Sequence, residues 1–165
     1  MKNLIKIFSF AAILGFFAAS CNTDPCKDVV CGDFGTCNEG TCTCEAGYEQ
    51  NLDGLCNTQM REKFIGTYNI GGTSVCGVSG SGAISGSMTI SNSSAGVTKI
   101  LINLYGSIIT ATVNGSSLTI DSQVIGGFTY TGSGTYSNNT INLVINEDDP
   151  SVPEVCVYTV NGLKQ

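Results

Sequence analysis

Histidine and tryptophan are both missing from these 165 residues, and Lys plus Arg number only 7 against 13 Asp plus Glu. Without histidine there is no Ser-His-Asp or Cys-His catalytic arrangement and no histidine metal site. The shortage of bases excludes a nucleic-acid binder, since phosphate contacts require Lys and Arg. Residues 22–58 carry seven acids against one lysine, and residues 59–165 six acids against four bases, so neither part offers a basic patch. Proline occurs three times, and no 11-residue window shows the 3.6-residue apolar period of an amphipathic helix. What remains is rich in glycine (21) and cysteine (9), with Ser, Thr and Asn abundant after residue 65, as in a turn-rich β protein. No catalytic residues, cofactor or metal are expected.

Nine cysteines cannot all pair. Six cluster from Cys26 to Cys56, Cys76 and Cys156 form a distant pair, and Cys21 is left over. Before Cys21 come Lys2 and Lys6, an apolar stretch from Ile7 to Ala19, and small residues. This is the layout of a secretory signal, too short for a comfortable membrane span. The run Ala18-Ala19-Ser20-Cys21 resembles the lipobox of bacterial lipoproteins. That resemblance implies a signal peptide over 1–20, lipidation of Cys21, and a short tether over 21–25. The partner it implies is a membrane, reached through covalent lipid. Asn22, rather than Asp, follows Cys21, so the inner-membrane retention signal of some lipoproteins is absent. The expected place is the bacterial cell envelope, at the outer membrane and surface-exposed.

The cysteines at 26, 31, 37, 42, 44 and 56 lie within 31 residues, too few to bury a core unaided. Six cysteines allow 15 pairings, which spacing does not resolve. A zinc site would need CxxC-type ligand pairs, and none is present. The runs Cys31-Gly32-Asp33-Phe34-Gly35-Thr36-Cys37, Cys42-Thr43-Cys44 and Glu45-Ala46-Gly47-Tyr48 resemble an EGF-like domain over 26–56. The resemblance implies Cys26–Cys37, Cys31–Cys42 and Cys44–Cys56 bridges, a positive-φ turn at Gly47 and a packing platform at Tyr48. Asn22, Asp24 and Asn38 sit near the calcium ligands of some such domains. Pro25 stands where an acid or amide is needed, so a solvated acidic face is expected instead of calcium. Residues 57–63 read as a linker.

From Phe64 onward apolar residues alternate with period two. Strands are predicted over 64–70, 83–90, 97–105, 107–113, 117–121, 128–136, 140–146 and 155–160, with turns at Asn114-Gly115, Gly126-Gly127 and Ser137-Asn138-Asn139. The fold class is all-β. A Cys76–Cys156 bond would join the first strand to the last, which a closed eight-stranded antiparallel barrel makes neighbours. A β-sandwich is the alternative. Phe64, Gly66 and Tyr68, with the Tyr130–Tyr136 strand, make 64–165 resemble a lipocalin-like domain. Glu147-Asp148-Asp149 reads as a solvated turn between the seventh and eighth strands, and Gly77, Gly80, Gly82 and Gly86 as a flexible loop. The expected role is non-catalytic binding or adhesion to protein or glycan. The alternative is carriage of a small apolar ligand inside the barrel.

Overall fold

The computed structural model describes residues 24–152 and 154–165. Cys21, the signal segment before it, and Asn22 and Thr23 of the tether lie outside the described residues. The fold is all-β: a disulfide-rich N-terminal module followed by a closed eight-stranded antiparallel barrel.

The module consists of two small hairpins, β1 (Gly35–Asn38) with β2 (Thr41–Cys44), and β3 (Tyr48–Gln50) with β4 (Cys56–Gln59). Hairpins of three or four residues are not stable alone in water. Three bridges supply what the core cannot: Cys26–Cys37, Cys31–Cys42 and Cys44–Cys56. These are the pairs that the EGF-like resemblance implies. Cys56 is fully buried, and the Phe34 ring stacks on Tyr48 at 3.8 Å between centroids. Gly47 adopts φ +92°, and its missing side chain leaves room for Val97 of the barrel.

Residues 57–63, expected to be a linker, are structured instead. β4 continues to Gln59, and Met60–Lys63 forms a 3₁₀ turn. The cause is tertiary. The Met60 amide donates to the Gly47 carbonyl at 2.9 Å, and Lys63 pairs with Glu49 at 2.6 Å. The Arg61 guanidinium donates to the carbonyls of Ser93 (3.0 Å), Gly96 (2.9 Å) and Lys99 (3.4 Å). The turn therefore rivets the module to one end of the barrel. Directly after it, Phe64 plugs that end with no exposed surface.

The barrel strands are β5 (Gly66–Cys76), β6 (Gly80–Asn92), β7 (Lys99–Leu104), β8 (Ser107–Asn114), β9 (Ser117–Ile125), β10 (Phe128–Ser137), β11 (Thr140–Asp149) and β12 (Glu154–Lys164). Each pairs with the next, and β12 pairs with β5 to close the ring. The predicted turns are present, with positive φ at Gly115, at Gly126 and Gly127, and at Asn138 and Asn139. Cys76 and Cys156 face each other directly across the closing pair and are bonded. Cys76 thus ends the first strand rather than following it.

Two expectations are corrected. The Gly/Ser-rich stretch from Gly80 is not a loop but the start of β6, in unbroken register with β5 from Cys76↔Gly80 to Gly66↔Ile90. Backbone ladders need no side chains, so a long partner strand recruits a segment of low β propensity. Glu147, Asp148 and Asp149 are not a turn either: they extend β11, opposite Cys156, Val155 and Glu154.

Along each strand alternate residues face inward. Tyr68, Met88, Ile90, Ile100, Ile102, Ile109, Leu118, Ile141, Leu143, Ile145 and Val160 form the core at 0–2 % exposure. At Gly134 an added Cβ would meet the Asn142 carbonyl oxygen at 2.7 Å, so glycine lets β10 bend tightly against β11.

One seam is incomplete. β8 and β9 pair directly only from Thr112↔Thr119 to Asn114↔Ser117, and β9 is bulged against β10 between Tyr130 and Gly132. Beyond that, Gln123 substitutes for the ladder. Its amide oxygen accepts from the Thr110 N–H at 2.9 Å, and its amide nitrogen donates to the Thr110 carbonyl at 2.7 Å. Gln123→Leu leaves both backbone groups unpaired. It is expected to cost about 1–3 kcal/mol, measured as a lowered urea midpoint at unchanged m-value.

Candidate functional site

The inside of the barrel is packed, not hollow. Side chains lining a ligand-sized void would keep open surface, whereas the central inward positions on β5 to β12 are almost wholly covered. Toward the end remote from the module a pocket of about 120 Å³ opens. That is well below the roughly 300 Å³ at which drug-sized ligands begin to fit.

The pocket is lined by Leu104, Tyr105, Ser107, Ile109, Tyr130, Ile145, Glu147 and Tyr158. Strand periodicity places its polar members. Glu147 continues the inward series Ile141, Leu143, Ile145, and Tyr130 lies directly opposite it on β10. On β12, Tyr158 donates its hydroxyl to Glu147 Oε1 at 3.1 Å. Burial pushes the Tyr158 phenol up to about 12, and the negative charge of Glu147 adds to the effect. Burial also raises Tyr130, with Glu147 assisting and a Ser107 hydrogen bond opposing. The Cys76–Cys156 bridge lies on the same rung, since Tyr130, Glu147, Cys156 and Cys76 are successive cross-strand partners.

Beside that bridge, Cys76, Cys156 and Glu154 bring potential metal ligands together. Both sulfurs are consumed in the disulfide, and a disulfide is not a thiolate ligand. Glu154 is occupied as well. Its carboxylate accepts from the Val78 N–H (3.0 Å), the Ser79 N–H (2.7 Å) and the Ser79 hydroxyl (3.1 Å), which hold its pKa below the ordinary value. The group is a brace for the β5–β6 turn.

A larger concavity, about 460 Å³, lies across β9 to β12. Two cross-strand rungs of outward residues line it: Ser117, Thr135, Asn142 and Asn161, then Thr119, Ser133, Val144 and Thr159. These rungs are uncharged and dense in hydroxyls and amides, with Val144 their one large apolar side chain, and Leu118, Leu143 and Val160 add apolar surface to the lining. Such a face can exchange many neutral hydrogen bonds with a ligand but holds no acid-base pair or nucleophile.

Charge is sorted along the barrel axis. The bases Arg61, Lys63, Lys99 and Lys164 sit toward the module end, with Glu62 in the same 3₁₀ turn and Asp121 paired to Lys99, whereas Glu147, Asp148, Asp149 and Glu154 sit at the far end without a base. Neither the sorting nor the convergence of Glu147 with the tyrosines was read from the sequence. One available signal was the break in the inward series of β11, where a carboxylate follows three aliphatic residues.

Among the described residues no helix is long and apolar enough to cross a membrane. No family of known proteins matches this chain, and no curated protein sequence does. Among solved structures, a structural-genomics protein of unknown function from Bacteroides ovatus shares 14% identity at a TM-score of 0.47. The match covers 61% of this chain and 41% of that one, so the chain spans about two fifths of its neighbour's length.

Proposed function

We propose that this chain is a lipid-anchored bacterial envelope protein that recognises a protein or glycan without catalysis. In this reading Cys21 carries the lipid, an EGF-like module acts as spacer, and a lipocalin-like barrel serves as a rigid platform rather than a carrier. The observation that supports it best is the contrast between a filled interior and an uncharged outer groove of about 460 Å³, where hydroxyls and amides stand beside apolar surface. Recognition by an outer face suits a closed barrel, whose strands have no free edge to offer. The module, locked to one end by Arg61 and Lys63, leaves the groove and the far end of the barrel uncovered.

Two measurements test the reading. Intact mass of the membrane-extracted protein is expected to fit a chain beginning at Cys21, with added acyl mass and four disulfides. A free Cys21 thiol and no lipid would remove the anchor. A glycan array and a panel of extracellular proteins then probe recognition, with Ser133→Arg/Asn142→Arg expected to weaken any captured partner at least tenfold. Undiminished binding by that variant would move recognition away from the groove. A small apolar molecule retained in native mass spectrometry would favour carriage instead.

A further inference from the structure

The far mouth of the barrel combines features that together select a ligand class. A partly buried carboxylate, Glu147, faces a small pocket whose other walls are aliphatic (Leu104, Ile109, Ile145) and phenolic (Tyr130, Tyr158). No Lys or Arg lines this pocket, and among the described residues Glu147 forms no salt bridge. The nearest charges in sequence and register, Asp148, Asp149 and Glu154, are all negative, and the basic residues of the barrel lie at its opposite end. A partly buried carboxylate left without a counter-ion is an acceptor for a cation. Aromatic walls favour that cation further, and a single-signed mouth raises its local concentration. Size narrows the choice: about 120 Å³ admits a four-carbon chain with its ammonium head, not a folded metabolite.

We propose that this mouth is a receptor for a primary alkylammonium group, the end of a lysine side chain displayed by a partner protein. The inference rests on the non-catalytic recognition reading and extends it from the groove to the barrel end. The aliphatic stem lies against Leu104, Ile109 and Ile145, and the ammonium donates to Glu147. Tyr158 already donates to one carboxylate oxygen and holds the group in place. Tyr105, which lines the pocket and is itself exposed, provides a rim for the backbone that carries the lysine.

The test is an NMR titration of the oxidised full chain in a neutral detergent, with three probes: butylammonium, butan-1-ol, and acetyl-Gly-Lys-Gly-amide. The expected result is saturable shifts at Tyr130, Glu147 and Tyr158 with butylammonium and the lysine peptide, and none with the alcohol. Glu147→Gln is expected to weaken both at least tenfold. Asp148→Asn removes an equal charge from the exposed side of β11 and should change them less than twofold. Equal response to the alcohol, undiminished binding by Glu147→Gln, or an equal loss in Asp148→Asn would each overturn the proposal. So would binding of butylammonium without the lysine peptide. Should Glu147→Gln fail to fold, the wild-type comparison of amine with alcohol decides. A null result here, with partner capture by the outer groove intact, removes the lysine pocket and leaves the recognition reading standing; loss of both removes the reading.

Discussion

Gly72→Ala is expected to destabilise the barrel by about 3 kcal/mol or more, or to prevent folding. Gly72 lies in β5 opposite Val160 of β12, in the pair that closes the ring. A Cβ there would fall onto the Thr159 carbonyl oxygen and lie 3.2 Å from the Val160 Cα. These are backbone atoms of the partner strand, so no rotamer change relieves the overlap. The strands must separate, and separating them opens the closing seam. Gly77→Ala is the matched control. Gly77 has no atom within 4 Å of its Cβ position and no positive φ, so its substitution is expected to stay within about 0.5 kcal/mol of wild type. Urea midpoints for both variants decide the matter. A Gly72→Ala protein as stable as the control would mean that β5 and β12 do not pair in this register.

Removing the Cys76–Cys156 bridge by serine substitution at both positions is expected to cost about 4 kcal/mol by loop-closure entropy, given a sequence separation of 80. For a domain of about 100 residues this corresponds to a fall in Tm on the order of 20 °C. The barrel should still form, because its core does not involve either cysteine. Hydrogen exchange should quicken first at the far ends of β5, β6 and β12, where the bridge and the Glu154 brace meet. An unchanged Tm would show that the bridge constrains neither the unfolded chain nor the mouth. Because the bridge shares a rung with Tyr130 and Glu147, its loss also tests whether the far pocket depends on that end being clamped.

Much of the barrel was legible because the signals involved are local. Alternation such as Ile141-x-Leu143-x-Ile145 reports one covered face per strand, and Asn114-Gly115 or Gly126-Gly127 supplies the positive φ that a tight hairpin requires. All eight strands were therefore predicted, although several extend further than their apolar pattern. The extensions fail locally for a definite reason. The start of β6 is glycine and serine and the end of β11 is acidic, and both are held in strand form by neighbours distant in sequence. Residues 57–63 were misread on the same grounds, because Arg61 finds its carbonyl partners more than 30 residues away.

By itself the sequence determined the class of fold and the cross-linked nature of the N-terminal module, and its distant cysteine pair favoured a closed barrel over a sandwich; closure itself came from the pairing of β12 with β5. Those follow from periodicity, composition and the short reach of a disulfide. Tertiary structure alone decided that the interior is filled, that Gln123 completes the β8–β9 seam, and that uncharged rungs line an outer groove. It also decided that Glu147 meets Tyr130 and Tyr158 at a mouth remote from every base in the barrel. Each of these depends on the register between strands, and register is set by packing of the whole core, not by any one segment.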